Sequence, residues 1–422
     1  MKKVATLLLV LMLLTVSIVG CQAKPNEAST KPEAAETKTD AVEEMEIRFL
    51  NRMTSTTAAY QPLQDAIAVF EEENPNISVV YDACDTNTWR QRAVVEFSGS
   101  NPPGLAWSPA SYANEFIADD LIVDWTDIYN DPNHPEFKEW FAESTLKSVA
   151  TADGKLPFLP YEAYAGVITY NKAIFEEHGW EIPETFDELL ALCDEMNAAG
   201  VAPFVTGGLD NRYAWLASIL MLRAAGLDNI NTLINEKMDS WDDPQYGLKT
   251  TLEKLQQLVD HGFFHSGCAG MTQDDSFAAF VRGEAAMFFE GTYIFAAFKN
   301  LGGDEFMDKI DIFPFPVMTD CPDGDSDAEA IVGGTPSGFI ISANQTPEEI
   351  EACIELAKVT ARPDVYSSVM ESNSYLYAGT IEYNRDATER VTNDLYDYYI
   401  SCMEGGAGAI YPFDSLLPAS LD

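Results

Sequence analysis

The sequence has few basic residues for its length. Lysine and arginine together number 25 among 422 residues, against 68 aspartates and glutamates, and the formal net charge is −43. A chain this acidic is repelled by nucleic-acid phosphates and by anionic lipid head groups. We therefore expect no nucleic-acid partner, and we interpret the acidity as a source of solubility at an exposed surface.

Sequence motifs of the common enzyme classes are missing as well. The chain has no G-x-S-x-G motif, no P-loop, and no G-x-G-x-x-G that opens a helix. Among so many carboxylates some pair always resembles a glycosidase pair, so that resemblance carries no weight. We predict that the protein is not an enzyme and has no catalytic residues.

Two short segments resemble metal sites without completing one. His261, His265 and Cys268 have the spacing of metal ligands, but a third and fourth ligand on rigid elements are not evident. The acidic residues of 323–327 resemble the start of a calcium loop, yet Ala328 stands where that loop requires glycine. We predict no metal and no cofactor.

Cysteines form no C-x-x-C pair, and their spacing establishes no disulfide. Cys193 and Cys353 fall on the predicted core faces of helices, where a thiol behaves as a small apolar group. Apart from Cys21, six cysteines are scattered along the chain: Cys84, Cys193, Cys268, Cys321, Cys353 and Cys402.

The first 44 residues have the pattern of a targeting segment followed by a linker. Lys2 and Lys3 precede an apolar run, residues 4–19, that is short for a membrane span. Gly20-Cys21 resembles the bacterial lipoprotein cleavage box, so we predict a signal peptide at 1–20 and acylation, with palmitate, at Cys21. Residues 21–44 have no aromatic residue and are predicted to form a disordered tether.

The pattern after residue 44 predicts an α/β fold. Strand-like runs at 46–50, 77–81 and 105–107 alternate with helical stripes, an order typical of a parallel sheet with covering helices. The segment from 45 to 422 is too long for one small core and suits two lobes.

Residues 153–188 combine several local patterns that agree with one another. AGVITY at 165–170 is typical of a buried strand, and Asn171 can cap the helix that follows. Thr185 and Glu188 form a capping box for the next helix. Farther on, 346–349 places an N-cap threonine, a proline and a capping-box glutamate in register.

These motifs resemble the extracellular solute-binding proteins of ABC importers, in the sugar-binding branch related to maltose-binding protein. The resemblance rests on the glycine–lysine, two prolines and Tyr-Asn-Lys of 154–172, on Thr-Phe-Asp-Glu-Leu at 185–189, and on FAAFVRGEAAMFFEGTYIF at 277–295. It implies a two-lobed, periplasmic-binding-protein-like (type II) fold, each lobe a mostly parallel sheet flanked by helices and joined by a hinge. We place lobe one at 45–156 plus 295–360, and lobe two at 157–294 plus 361–422.

A sugar site needs aromatic platforms for the C–H faces of a ring and fixed polar groups for its hydroxyls. In open α/β sheets such groups lie on loops at the carboxyl ends of strands. In the branch that the chain resembles, Tyr164 falls at the position of a ligand-contacting carboxylate. The predicted ligand-binding residues are Asn51, Arg52, Thr54, Trp107, Ser108, Tyr161, Glu162, Tyr164, Asn211, Tyr213, Trp215, Thr292 and Tyr293.

The leading functional prediction is a membrane-tethered, extracellular solute-binding lipoprotein. It captures a carbohydrate between two lobes and delivers it to the permease subunits of an ABC transporter. We expect a monomer on the outer face of the bacterial cytoplasmic membrane, anchored through Cys21. The alternatives are a binding protein for a non-sugar solute, a co-receptor of a sensor kinase, and a surface hydrolase.

Overall fold

The structure is a computed structural model that describes residues 44–141, 143–321, 330–405 and 408–413. The predicted signal peptide, nearly all of the tether, Cys21, the aspartates of 323–327 and the last nine residues lie outside the described residues. None of the helices within the described ranges combines the length and the apolar character needed to cross a membrane.

Two separate β-sheets organise the described chain. The larger has the order β10-β9-β3-β1-β2, with β4 paired to β9, and the smaller has the order β6-β7-β5-β8. The strands are β1 (Met45–Asn51), β2 (Ile77–Ala83), β3 (Leu105–Pro109), β4 (Leu159–Ala165), β5 (Val167–Asn171), β6 (Ala202–Phe204), β7 (Ala285–Glu290), β8 (Ile310–Phe313), β9 (Ile331–Ile341) and β10 (Ala409–Ile410).

Helices connect the strands and cover the sheets. They are α1 (Tyr60–Glu73), α2 (Thr86–Phe97), α3 (Ala110–Ala118), α4 (Trp125–Asn130), α5 (Glu136–Trp140), α6 (Glu143–Val149), α7 (Lys172–His178), α8 (Phe186–Ala199), α9 (Tyr213–Ala225), α10 (Leu227–Glu236), α11 (Leu248–Asp260), α12 (Gln273–Val281), α13 (Ile294–Met307), α14 (Pro347–Ala361), α15 (Pro363–Glu371) and α16 (Arg390–Gly405).

The β1-α1-β2-α2-β3 opening confirms the predicted parallel sheet with covering helices. β1 pairs in parallel with both β2 and β3. Leu63, Ile67 and Phe70 form the buried stripe of α1, as their spacing predicts. The apolar periodicity is therefore sufficient to position this half of the larger sheet.

Helix capping follows the predicted signals closely. The Asn171 side chain accepts hydrogen bonds from the backbone N–H groups of residues 173 and 174 at the start of α7. Thr185 and Glu188 form both bonds of a capping box, and so do Thr346 and Glu349. These caps fix where α7, α8 and α14 begin.

The AGVITY segment is divided between the two sheets and is not one strand. β4 ends at Ala165, Gly166 intervenes, and β5 begins at Val167 in the smaller sheet. The Gly166 N–H donates to the Val332 carbonyl oxygen at 2.7 Å, and a Cβ at Gly166 would lie 2.9 Å from that oxygen. This close approach requires glycine, and the chain passes between the sheets there.

Strand direction in the smaller sheet is mixed, in contrast to the mostly parallel arrangement that was expected. β6 and β7 are parallel, but β5 runs antiparallel to β7 and β8. The reason is the direct passage from β4, since β5 starts at the edge where β7 ends. Val167 accordingly pairs with Glu290, the last residue of β7.

The lobe boundaries stay a prediction, and two contacts bear on them. β8 pairs with β5 in the smaller sheet, although 310–313 falls within the range predicted for lobe one. α15 packs against α1 and α14, although 363–371 falls within the range predicted for lobe two. These contacts associate β8 with the range predicted for lobe two and α15 with the range predicted for lobe one.

Candidate ligand-binding cleft

A cleft of about 260 Å³ lies where residues from both sheets and their helices meet. Aromatic rings and guanidinium groups dominate its lining. From the side of the larger sheet it is lined by Arg52, Thr86, Arg90, Trp107, Pro109, Tyr164, Pro336, Ser337 and Tyr375. From the side of the smaller sheet it is lined by Arg212, Trp215, Gln273 and Tyr293.

Arg52 forms a hydrogen-bonded cluster with a buried carboxylate on the larger-sheet side, which we call the Arg52 cluster. Its Nη2 donates to both carboxylate oxygens of Glu162, at 2.9 and 2.8 Å, and to the Tyr375 hydroxyl at 3.0 Å. Tyr164 and Ser337 each donate a hydroxyl to Glu162 Oε2 at 2.6 Å. Because Glu162 is fully buried, these donors provide the hydrogen bonds that water would otherwise supply.

Two aromatic rings hold the Arg52 guanidinium in place. Its centre lies 4.6 Å from the Trp107 ring and 5.3 Å from the Tyr375 ring, both within cation–π range. Burial opposes the charge, but Glu162, Tyr375 and Tyr164 together outweigh burial and raise the pKa of Arg52 well above its usual value. Burial also raises the pKa of Tyr375 to about 12, so this hydroxyl stays protonated at neutral pH.

Arg212 forms a second cluster of the same kind on the smaller-sheet side, which we call the Arg212 cluster. Glu290 Oε2 accepts from Arg212 Nη2 at 3.0 Å, from the Tyr293 hydroxyl at 2.5 Å and from Gln273 Nε2 at 2.6 Å. Glu290 is fully buried, and its Oε1 has no hydrogen-bond partner among the described residues. The Arg212 guanidinium lies 5.8 Å from the Trp215 ring.

The two clusters touch through a pair of tyrosine rings. Tyr164 and Tyr293 meet edge to face with their centroids 5.7 Å apart. Gly291 lies beside this contact, and a Cβ there would be 2.9 Å from the Trp215 ring and 3.3 Å from Tyr164 Cβ. The close approach of the clusters therefore depends on glycine at this position.

The structure brings some of the predicted site residues into one cleft. Arg52, Trp107, Tyr164, Trp215 and Tyr293 line it directly. Glu162 lies behind Arg52 and orients it. That these residues contact a ligand stays a prediction, but their convergence from separate parts of the chain agrees with it.

The other predicted residues do not line the cleft, and several have a structural role instead. Asn51 is buried and its Oδ1 accepts from the Met53 N–H, while Tyr161 packs on Phe339 with centroids 4.3 Å apart. Tyr213 packs against Phe264. The predicted residues outside the lining are Asn51, Thr54, Ser108, Tyr161, Asn211, Tyr213 and Thr292.

Most of the remaining lining residues could not be read from local patterns. Arg212 is an exception, since it stands between Asn211 and Tyr213 in a loop that the sequence already indicates. Asn211 adopts a left-handed conformation (φ 56°), which turns the chain just before α9 begins. The lining residues missed by the sequence analysis are Thr86, Arg90, Pro109, Arg212, Gln273, Pro336, Ser337 and Tyr375.

The segment 261–268 does not assemble a metal site in the described structure. His261 is hydrogen-bonded to Asp194 at 3.0 Å, and His265 Nδ1 accepts from the Gly267 N–H. A different trio has ligand atoms within 4.8 Å of one another, namely His134, Glu351 and Glu355. None of this trio lines the cleft, and Glu355 is engaged by Lys358 at 2.6 Å.

Comparison with known families identifies the class of the protein. A family model described as bacterial extracellular solute-binding protein matches residues 65–394, most of the chain. The chain therefore belongs to this extracellular solute-binding family. The assignment agrees with the resemblance seen in the sequence and with the expectation of a binding protein and not an enzyme.

Individual relatives match parts of the chain at modest identity. An uncharacterised ABC transporter extracellular-binding protein of Pyrococcus horikoshii is 27% identical over 245 residues, 56% of this chain and 54% of the relative. A multiple sugar-binding protein of Streptococcus mutans is 27% identical over 199 residues, 42% of this chain and 47% of the relative. The chain thus spans about half the length of these relatives.

Solved structures confirm the fold. A chitin oligosaccharide binding protein superposes with a TM-score of 0.72 at 21% sequence identity, over 88% of this chain and 90% of the other. At this identity the similarity establishes the architecture alone. It confirms the predicted α/β fold of the two-domain solute-binding proteins.

Proposed function

We propose that the protein binds a carbohydrate in the cleft between its two sheets and serves an ABC importer. The observation that carries the proposal is the lining of the cleft, where tryptophan and tyrosine rings alternate with guanidinium groups from both sides. Rings offer flat apolar surfaces for the C–H faces of a pyranose, and guanidinium groups donate to ring substituents.

The rigidity of the polar groups supports a binding role. Buried carboxylates fix both Arg52 and Arg212, and aromatic rings flank both guanidinium groups. Donors held in place before the ligand arrives lose little conformational entropy when they bind it. This arrangement suits recognition of a ligand and needs no group that performs chemistry on it.

The names of the relatives agree with a carbohydrate ligand and with an ABC transporter as the partner. One is called a multiple sugar-binding protein and another an ABC transporter extracellular-binding protein, and a structural neighbour is a chitin oligosaccharide binding protein. We extend these descriptions to the present chain as part of the proposal, including delivery of the ligand to membrane permease subunits.

We further propose that Cys21 carries lipid and tethers the protein to the outer face of the cytoplasmic membrane. The support is the sequence pattern, namely Lys2 and Lys3, the apolar run 4–19 and Gly20 before Cys21. Cells fed labelled palmitate are expected to label the wild-type chain and not the Cys21→Ser variant. Equal labelling of both would disprove the anchor.

Thermal unfolding in the presence of mono- and oligosaccharides tests the proposed ligand class. A ligand that binds only the folded state adds about 2.7 kcal/mol at a hundred times its dissociation constant, which raises the melting temperature visibly. We expect at least one saccharide series to produce such a shift. Non-sugar solutes that shift the transition when no saccharide does would overturn the proposal.

A matched pair of tryptophan variants locates the binding site. Trp107→Phe reduces an aromatic surface that lines the cleft, and we expect about a tenfold loss of affinity for the saccharide that binds. Trp125→Phe makes the same change at a buried position that packs against Phe137 outside the cleft, and we expect unchanged affinity. Equal effects of the two variants would argue against this cleft as the site.

A further inference from the structure

The charged groups that line the cleft are all of one sign. Arg52, Arg90 and Arg212 line it, and within the described residues no aspartate or glutamate does. The chain as a whole has the opposite balance, with 68 acidic residues against 25 basic ones. A carboxylate-free lining is therefore a local departure from the composition of the protein.

Two buried carboxylates lie behind the arginines of the lining, and neither lines the cleft itself. Glu162 and Glu290 have no exposed surface, and they accept hydrogen bonds from the arginine, tyrosine, serine and glutamine side chains described above. A ligand in the cleft therefore meets the donors of these networks and not the carboxylate oxygens behind them.

Arg52 keeps donor capacity on its cleft side. All of its hydrogen bonds to described residues leave from Nη2, toward Glu162, Tyr164 and Tyr375. Its Nη1, which has two N–H groups, makes none with the residues that the structure describes, while the side chain remains 16% exposed. A guanidinium held rigidly with one free edge is suited to a planar or tetrahedral anion.

Hydrogen-bond balance favours an anionic ligand over a purely neutral one. A sugar hydroxyl both donates and accepts, so a neutral sugar needs acceptors in the lining as well as donors, and the side-chain acceptors there are limited to hydroxyl and amide oxygens such as those of Thr86, Ser337 and Gln273. A carboxylate, sulfate or phosphate group only accepts, and every one of its bonds can come from arginine N–H groups. A buried hydroxyl proton without an acceptor, by contrast, weakens binding.

We propose that the ligand is an acidic saccharide, whose anionic group is bound by the free edge of Arg52 together with Arg90. This inference rests on the proposed carbohydrate-binding function and narrows its ligand class. The aromatic rings contact the apolar faces of the sugar, and Arg212 donates from the opposite side. The anion can be a uronic acid carboxylate or a phosphate or sulfate ester, since all three offer the same acceptors.

Matched pairs of ligands test the inference with the full-length protein. Thermal unfolding and calorimetric titration compare glucuronate with glucose, galacturonate with galactose, and glucose 6-phosphate and glucose 6-sulfate with glucose. Oligomers of two to four units extend the uronate and neutral series, and citrate represents a non-sugar acid. We expect an acidic saccharide to bind at least tenfold more tightly than its neutral partner.

Two substitutions on helix α2 test whether the preference for acidic over neutral saccharides arises in the cleft. Arg90→Gln removes a guanidinium from the lining, and we expect about a tenfold loss of affinity for the acidic saccharide, with less than a threefold change for the neutral one. Arg92→Gln is the control, because Arg92 lies on the same helix α2 but bonds to Asp82 and Glu96 and does not line the cleft. Arg90→Lys keeps the charge and is expected to lose less affinity than Arg90→Gln.

The outcomes separate this inference from the function on which it rests. Neutral sugars that bind as tightly as their acidic partners would overturn the inference and leave carbohydrate binding intact. Binding of citrate with no response to any saccharide would overturn both. A flat response to every acidic saccharide, from protein with a cooperative unfolding transition, would also overturn the inference.

Discussion

The Arg52 cluster and the Arg212 cluster have the same design, but the buried glutamate is more fully hydrogen-bonded in the first than in the second. Each places a guanidinium beside the cleft, a fully buried glutamate behind it and aromatic rings around it. In the Arg52 cluster both oxygens of Glu162 accept hydrogen bonds, whereas in the Arg212 cluster all the bonds go to Glu290 Oε2. The comparison suggests that the larger-sheet side is the more rigid wall of the cleft.

Each cluster collects residues from four chain segments, so the difference lies in which glutamate oxygens the donors reach. In the Arg52 cluster the residue after β1, residues of β4 and β9 and the loop after α15 supply donors to both oxygens of Glu162 or pack beside them. In the Arg212 cluster a residue of β7 and residues at the starts of α9, α12 and α13 meet at Glu290 Oε2, and Glu290 Oε1 has no described partner. A buried acceptor of this kind costs stability, and proteins often retain such groups where function requires them.

Substitution of Glu162 should have the largest effect on the free energy of unfolding. Glu162→Gln removes the fully buried charge opposite the partly buried Arg52, and we expect a loss of about 3 kcal/mol in the free energy of unfolding. Glu290→Gln is the matched change in the other cluster, where fewer bonds are lost, and we expect about 1 to 2 kcal/mol. Urea unfolding of both variants measures the difference, and equal losses would contradict the comparison.

Pushing the two clusters apart should have an intermediate effect on the free energy of unfolding. Gly291→Ala places a methyl group against Trp215 and Tyr164, and we expect overpacking to cost about 2 kcal/mol. Near-ultraviolet circular dichroism should change as the Tyr164 and Tyr293 rings separate. Gly270→Ala is the control, since a Cβ there meets no atom within 4 Å, and it should change stability by less than about 0.5 kcal/mol.

The smallest effect on the free energy of unfolding is expected from ionisation of Tyr375 at alkaline pH. Burial raises its pKa to about 12, above the value of about 10 of an unfolded chain, so folding favours the protonated hydroxyl. Its contribution is complete below pH 10 and is lost as the pH rises toward 12. Between pH 9 and 11 the wild type should lose about 1 kcal/mol more than Tyr375→Phe, and equal pH slopes in urea unfolding would refute this assignment.

The elements that the sequence predicts well are those determined by neighbours in the chain. The stripe of α1 and the caps at Asn171, Thr185 and Thr346 depend on residues within one or two turns, and the parallel β1-β2-β3 arrangement follows from the alternating order of consecutive strands and helices. The direction of β5 was missed because it depends on where the chain crosses between sheets at Gly166. No periodicity in 165–170 encodes that crossing.

The same reasoning explains which lining residues were found. Residues that directly follow a strand, such as Arg52 and Tyr293, lie near the cleft because strand ends converge there. Tyr375 lies 323 residues from Arg52 along the chain and meets it in a loop whose next residue, Leu376, pairs with Ala163 of β4. Contacts of this length are properties of the tertiary structure, and they account for most of what sequence reasoning could not supply.

The pairing of each arginine with a glutamate on its own side of the cleft has a mechanical consequence. Arg52 and Glu162 both belong to the larger-sheet side, and Arg212 and Glu290 both belong to the smaller. Movement of one wall relative to the other would therefore pull apart no ion pair within these clusters. In the absence of a bound solute the work of separating the walls would come from ring contacts, and added electrolyte would change it little.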